Sequence, residues 1–312
     1  MEDEETGPET GLASSKVGVL GGDGLWSVAE VLRAAGLAPV DLEPAPKTVA
    51  PEVAAKWHYG RATVRAGLLG HPRAALQLLR CELPKGWIWK GADGLAVDGL
   101  RPEVDPEGLP KEAMLAYRLA HLAAVARLPA EVDRLILPLC TTRAMVDGAG
   151  TVFGARPKGV TLPTGVKLSE VSFTVKEMQD DLAALVELLR KAHPGIVVQV
   201  TLQPSLMEQP DPVAIEVALR ALTSVPGVTH DPVFDALLLR RLSGGGGAAA
   251  LAHLAQGGDL DTLGGTPAPV AAEESDREKR QRRKERRARN KDKKGDAAKV
   301  VCEDELLEAF AK

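Results

Sequence analysis

The stretch Lys16-Val-Gly-Val-Leu-Gly-Gly-Asp-Gly-Leu-Trp-Ser-Val-Ala-Glu-Val-Leu-Arg-Ala-Ala-Gly36 decides the fold class. Val17 to Leu20 form a short apolar run, Gly21, Gly22, Asp23 and Gly24 a glycine turn, and the residues onward to Gly36 carry apolar side chains at helical spacing. A strand, a tight turn and a helix in that order open an α/β unit. In open α/β sheets, ligands and catalytic groups collect beyond the carboxyl ends of the strands. Chemistry is therefore expected at Gly21–Gly24, yet that turn holds no hydroxyl, thiol or imidazole.

Working outward, residues 39–42 read as a second strand and 47–51 as a linker. Residues 59–80 have helical spacing, interrupted at Gly70-His-Pro72. Residues 87–97 read as a hairpin, with Asp93-Gly94 supplying positive φ at its turn. Residues 110–128 read as a helix with proline at its start. Residues 133–139 form a buried strand. Thr174-Val-Lys-Glu177 is a capping box opening a helix over 175–192, and 196–202 is another core strand. A helix over 212–223 and a strand around Val228 complete the pattern. Such alternation predicts a mostly parallel sheet covered on both faces, in a three-layer αβα domain of flavodoxin-like type over 16–242.

The flanks differ. Residues 1–15 are acidic and aperiodic and read as disordered, 243–275 are rich in glycine and proline and read as a flexible linker, and 276–312 read as a basic helical tail with a short acidic amphipathic end. Residues 276–294, running through Arg277 to Lys294, hold twelve Lys/Arg against four Asp/Glu, a local +8. That leaves 27 basic and 39 acidic residues elsewhere, or −12, within a net charge of −4. A tail of this kind fits nucleic-acid phosphates, an anionic surface or the acidic body itself; having no aromatic, it offers no base stacking. Leu306, Leu307 and Phe310 would line one face of the terminal helix and dock on a protein partner or on the chain's own domain.

The order of segments resembles the GSCFA family of the SGNH/GDSL hydrolase superfamily, which is linked to bacterial surface-polysaccharide modification. Residues 17–36 are similar to its Gly-Ser-Cys-Phe-Ala opening, and Tyr59-Gly-Arg-Ala-Thr63 with Leu76-Gln-Leu-Leu79 to its second segment. Residues 137–147 resemble its third, and the capped helix before His193-Pro-Gly with Thr201-Leu-Gln-Pro204 its fourth. The resemblance implies an SGNH-type fold and a role in glycan acyl-ester metabolism. It also implies lost chemistry. The motif serine falls on Gly22, the cysteine on Asp23, the asparagine on Arg61, the acidic residue of the third motif on Arg143 and the serine of the fourth on Gln203. A serine esterase needs a hydroxyl, an imidazole in reach of it and donors for the oxyanion. Ser27 lies inside the helix, where it packs or caps, and the late Asp-x-x-His pair is replaced by His230-Asp231, in reversed order.

The expectation is therefore a degenerate pocket, with binding or regulation in place of serine catalysis. Gly21, Gly22, Gly24, Arg61 and Arg143 are the candidate ligand contacts for a glycan or anionic small molecule, since guanidinium forks suit carboxylate and phosphate. His230 and Asp231 are the remaining catalytic candidates, and an active hydrolase or acyltransferase with a relocated nucleophile is a further reading. Gly22-x-Gly24-x-x-Ser27 with Asp41 only partly matches a dinucleotide fingerprint, because serine stands for the third glycine and Asp23 where pyrophosphate would sit. His58, His71, His121, His193 and His230 lack metal-ligand spacing, so no cofactor or metal is expected. Trp57, Trp87 and Trp89 read as core anchors or as a sugar platform. Cys81, Cys140 and Cys302 lack paired spacing, which fits a reducing compartment, and with no membrane span or leader the expected location is cytoplasmic.

Overall fold

Four apolar runs pair in parallel at the centre of the computed structural model, which describes residues 15–258 apart from 22–26, 92, 106, 140, 203–218 and 243–245. They are β1 (Val17–Val19), β4 (Arg134–Leu139), β8 (Val197–Leu202) and β9 (Val228–His230), hydrogen-bonded in the order β1-β4-β8-β9. Val19 stands beside Ile136, Ile136 beside Gln199 and Gln199 beside Thr229, which aligns the carboxyl ends at one edge. The chain is thus an α/β protein with a parallel four-stranded sheet and additional antiparallel strands.

Alternation of side chains across these strands feeds two cores. Leu135, Leu137, Leu139, Val198 and Val200 pack with α3 (Pro72–Leu79), α4 (Lys111–Glu131) and α5 (Val175–Ala192). Val17, Val19 and Ile136 pack with α1 (Val28–Ala34), α6 (Pro232–Leu242) and α7 (Ala248–Ala255). In α5 the buried Met178, Leu182, Leu185, Val186 and Leu189 recur at helical spacing, and the Thr174–Glu177 capping box is present in full.

Several boundaries differ from the sequence reading. The helical spacing over 59–80 survives only in α3. Residues 61–71 run without helix because their hydrogen bonds go elsewhere: Thr63 donates its N–H to the Val19 carbonyl (2.8 Å), while its hydroxyl accepts from Val19 N–H (2.8 Å). Residues 39–42 lie outside β1, where Val40 N–H donates to the Val17 carbonyl (2.8 Å), but proline at 39 removes a donor and no ladder forms. A short helix, α2 (Pro51–Lys56), follows the linker-like 47–51. The hairpin is β2 (Ile88–Lys90) with β3 (Ala96–Asp98); its positive φ (79°) is at Gly94. A second antiparallel sheet, β6 (Val152–Phe153), β5 (Arg143–Val146) and β7 (Ser169–Ser172), was not expected. Nor was α7. Its Leu251, Leu254 and Ala255 are buried in the core that holds Val17, so the compact domain runs past residue 242 and the linker expected from 243 cannot begin there. Among the described residues no helix is long and apolar enough to cross a membrane. The acidic N-terminus 1–14 and the tail, with Arg277 to Lys294, Leu306, Leu307 and Phe310, lie outside the described residues.

Candidate functional site

The chain leaves β1 toward its outer side through 39–42, returns at Thr63, and reaches β4 on the inner side. The carboxyl end of β1, which leads into Gly21, is where an open α/β sheet places its ligands. Gly21 sits there at φ +90°, a backbone shape that glycine tolerates. Leu69 fills the adjoining space: a methyl group on Gly21 would stand 2.7 Å from the Leu69 Cβ. Around this point Gly21, Ser27, His58, Arg61, Arg65 and Gly67 line a recess of about 10 Å³, room for about one water.

Ser27 and Arg61 of the recess are engaged by neighbouring groups. Ser27 caps α1, its hydroxyl accepting from Glu30 N–H (3.2 Å) and donating to the Arg61 carbonyl. Arg61 Nε lies 4.0 Å from the Glu30 carboxylate. His58 has positive φ (58°), unusual for a residue with a side chain. Burial, helped by the Arg61 and Arg65 charges, holds its imidazole down to about 4, so it is neutral near pH 7.

Behind the recess lies a buried ionic network that the sequence reading did not single out. Arg65 is sandwiched between the rings of Tyr59 (4.0 Å) and Tyr117 (4.6 Å), donates from Nε to the Trp57 carbonyl (3.0 Å) and lies 3.8 Å from Asp105. Its backbone N–H donates to Glu43 (2.6 Å), whose same oxygen contacts His121 Nδ1 (2.6 Å). Asp98 accepts from Arg101 Nε (2.9 Å), Arg118 Nη1 (3.0 Å) and Leu100 N–H (3.0 Å). Arg101 reaches on to the Arg65 carbonyl, and Leu68 N–H donates to Glu103. These bonds pin residues 65–68, the lead-in to Leu69.

Protonation states follow from the geometry. Burial would raise the Glu43 carboxyl, but the His121 hydrogen bond, the His121 and Arg101 charges and the Arg65 N–H take it to about 2. Burial and the Arg101 charge push His121 to about 4 against the pull of Glu43, so their contact is a neutral N–H on a carboxylate. For Asp98, burial is outweighed by Arg118 and Arg101, and its pKa is lowered. Glu103 is raised by burial to about 7. A sequence signal existed: Arg118 and His121 interrupt the otherwise apolar buried stripe Met114, Leu122, Val125, Leu128 of α4.

The other candidates stand apart from the recess. Arg143 is exposed on β5, 3.6 Å from Glu170. His230, at the carboxyl end of β9, bonds through Nε2 to Asp235 (2.8 Å), and the Thr201 hydroxyl donates to the other oxygen of that carboxylate. Asp231 caps α6, accepting from Val233 N–H (2.8 Å) and Phe234 N–H (3.2 Å). Gly22, Asp23, Gly24 and Gln203 lie outside the described residues. Trp87 and Trp89 are largely buried, Trp89 stacking on Phe153 at 5.8 Å, and both border a groove with Lys90, Lys111 and Thr161. His71 caps α3, its Nδ1 accepting from Arg73 N–H (3.1 Å), and His193 contacts the Val132 carbonyl (2.9 Å). Among the described residues no group of three or more His, Cys, Asp or Glu is placed to hold a metal ion. The chain matches no known protein family, no curated protein and no solved structure.

Proposed function

We propose that this chain is a diverged GSCFA-like domain of SGNH type, a three-layer αβα fold, that serves polysaccharide or glycan acyl-ester modification by binding or regulation rather than by serine-esterase catalysis. The observations that support the reading are at the end of β1: Leu69 stands so close to Gly21 that a methyl group there would lie 2.7 Å from the Leu69 Cβ, and the Ser27 hydroxyl is engaged by a helix cap and a carbonyl. Among the described residues Thr201 is a candidate for a relocated nucleophile: its hydroxyl donates to the Asp235 carboxylate, to which His230 also bonds.

Incubation with a fluorophosphonate probe is expected to leave the full chain unlabelled. Labelling would overturn the reading, and its loss in Thr201→Ala would identify the relocated nucleophile.

A second reading rests on the +8 segment 276–294, which fits nonspecific binding to nucleic acid or another anionic surface. On immobilised duplex DNA, deleting 270–312 is expected to abolish retention that weakens steeply with salt. Unchanged retention and salt slope would exclude the tail as the binding element.

A further inference from the structure

A helix that packs on a core from one side ordinarily turns charge to solvent on the other. The α4 helix does not. Met114, Arg118, His121, Leu122, Val125 and Leu128 face inward. Between Glu112 and Arg127 every exposed position of the helix is alanine or leucine, with Leu115 at 43% and Leu119 at 51% exposure. The outward line Ala116, Leu119, Ala123, Ala126 repeats at four- and three-residue steps, the spacing that keeps one seam on a partner helix. Alanines at that seam allow helix axes to approach to about 8 Å.

We propose that this face is an isologous interface, on which the α4 helices of two copies of the chain pack antiparallel across a two-fold axis near Leu119 and Ala120. Charge placement selects both the occupant and its direction. The stripe is bounded at its start by Lys111 and Glu112 and at its end by Arg127 and Glu131, all exposed, so that antiparallel pairing also sets Lys111 of each copy against Glu131 of the other. Antiparallel pairing brings Glu112 of each copy to the end where Arg127 of the other stands. A parallel pairing would oppose like charges and align the two helix dipoles. The surface is therefore complementary to itself.

The test is the mass of the full chain by sedimentation velocity, over a dilution series from about 100 µM. Twice the chain mass is expected at the upper end. Leu119→Arg, at a position half exposed in the single chain, is expected to give the single-chain mass with an unchanged far-UV spectrum and melting temperature. Glu112→Arg alone is expected to weaken pairing roughly two- to fivefold, and the double exchange E112R/R127E to restore it. A single-chain mass for the wild type throughout the series would overturn the proposal, as would a two-chain mass for Leu119→Arg. Failure of the double exchange to recover pairing would overturn the antiparallel arrangement.

Discussion

Asp98→Asn is expected to destabilise the domain by about 3–5 kcal/mol, the cost of leaving buried guanidinium groups without their anion. The substitution is nearly isosteric, so packing around β3 is preserved and the charge alone is removed. Asp98 is the shared partner of Arg101 and Arg118, and all three side chains are at most 3% exposed. At that burial bulk solvent does not reach either guanidinium to take the place of the carboxylate, and the two positive charges would then face each other. For a domain of this size the loss corresponds to a fall of roughly 6–20 °C in melting temperature. Arg143→Ala is the control: its pair with Glu170 is exposed on both sides, so little stability should be lost with it. A melting temperature for Asp98→Asn within about 2 °C of wild type would show that the network is not what pins the loop 65–68.

The network also explains why a pocket drawn from sequence alone is more open than the one found. The scaffold was legible because its signals are local. An apolar run flanked by glycine marks β1, continuous apolar runs mark β4 and β8, and the Thr174–Glu177 box marks the start of α5. The wedge at Leu69 was not, because it depends on contacts distant in the chain. Residues 62–66 are buried on every side, so no strand alternation marks them, while Val64, Leu68, Leu69 and Leu76 satisfy helical spacing; only the bonds of Thr63, Glu43 and Glu103 decide against the helix. The antiparallel sheet was illegible for a different reason. All four residues of β7 are exposed, so Ser169–Ser172 carries no alternation for burial to imprint. Helix α7 was hidden by the glycine run before it and by its own alanines, which read as linker until Leu251 and Leu254 are seen against the core of β1. Pairings such as His230 with Asp235 rather than with its neighbour Asp231 depend on where α6 starts.

Acid should unfold this protein earlier than its carboxylates alone require, because two of its fully buried groups are neutral histidines. His71 and His121 are at most 2% exposed, and burial, with Arg73 beside the first and Arg101 beside the second, holds each at about 4 in the folded chain. In the unfolded chain each titrates near 6.5. As the pH falls from 6.5 to 4 the unfolded state therefore binds the extra protons, and stability is lost over that window. The loss is up to about 3 kcal/mol for each histidine, with a smaller share from the partly exposed His58. Below pH 4.5 the Glu43 carboxylate, held at about 2, adds its own loss. Glu103 works in the opposite direction: raised to about 7 when folded, it binds a proton in the native state first, so its contribution to stability grows as pH falls from 7 to 4.5. Two substitutions separate these opposed slopes in urea unfolding measured from pH 4.5 to 7. His121→Gln, which keeps a donor for Glu43, is expected to flatten the pH dependence of stability by about 1 kcal/mol per pH unit. Glu103→Gln, which keeps an acceptor for Leu68 N–H, is expected to steepen the acid-side loss by a similar amount. Slopes that move together, or neither moving, would mean that these side chains exchange protons with solvent in the folded state much as they do in the unfolded one. In that case the network is wet, and Leu69 is held at the crevice by apolar packing alone.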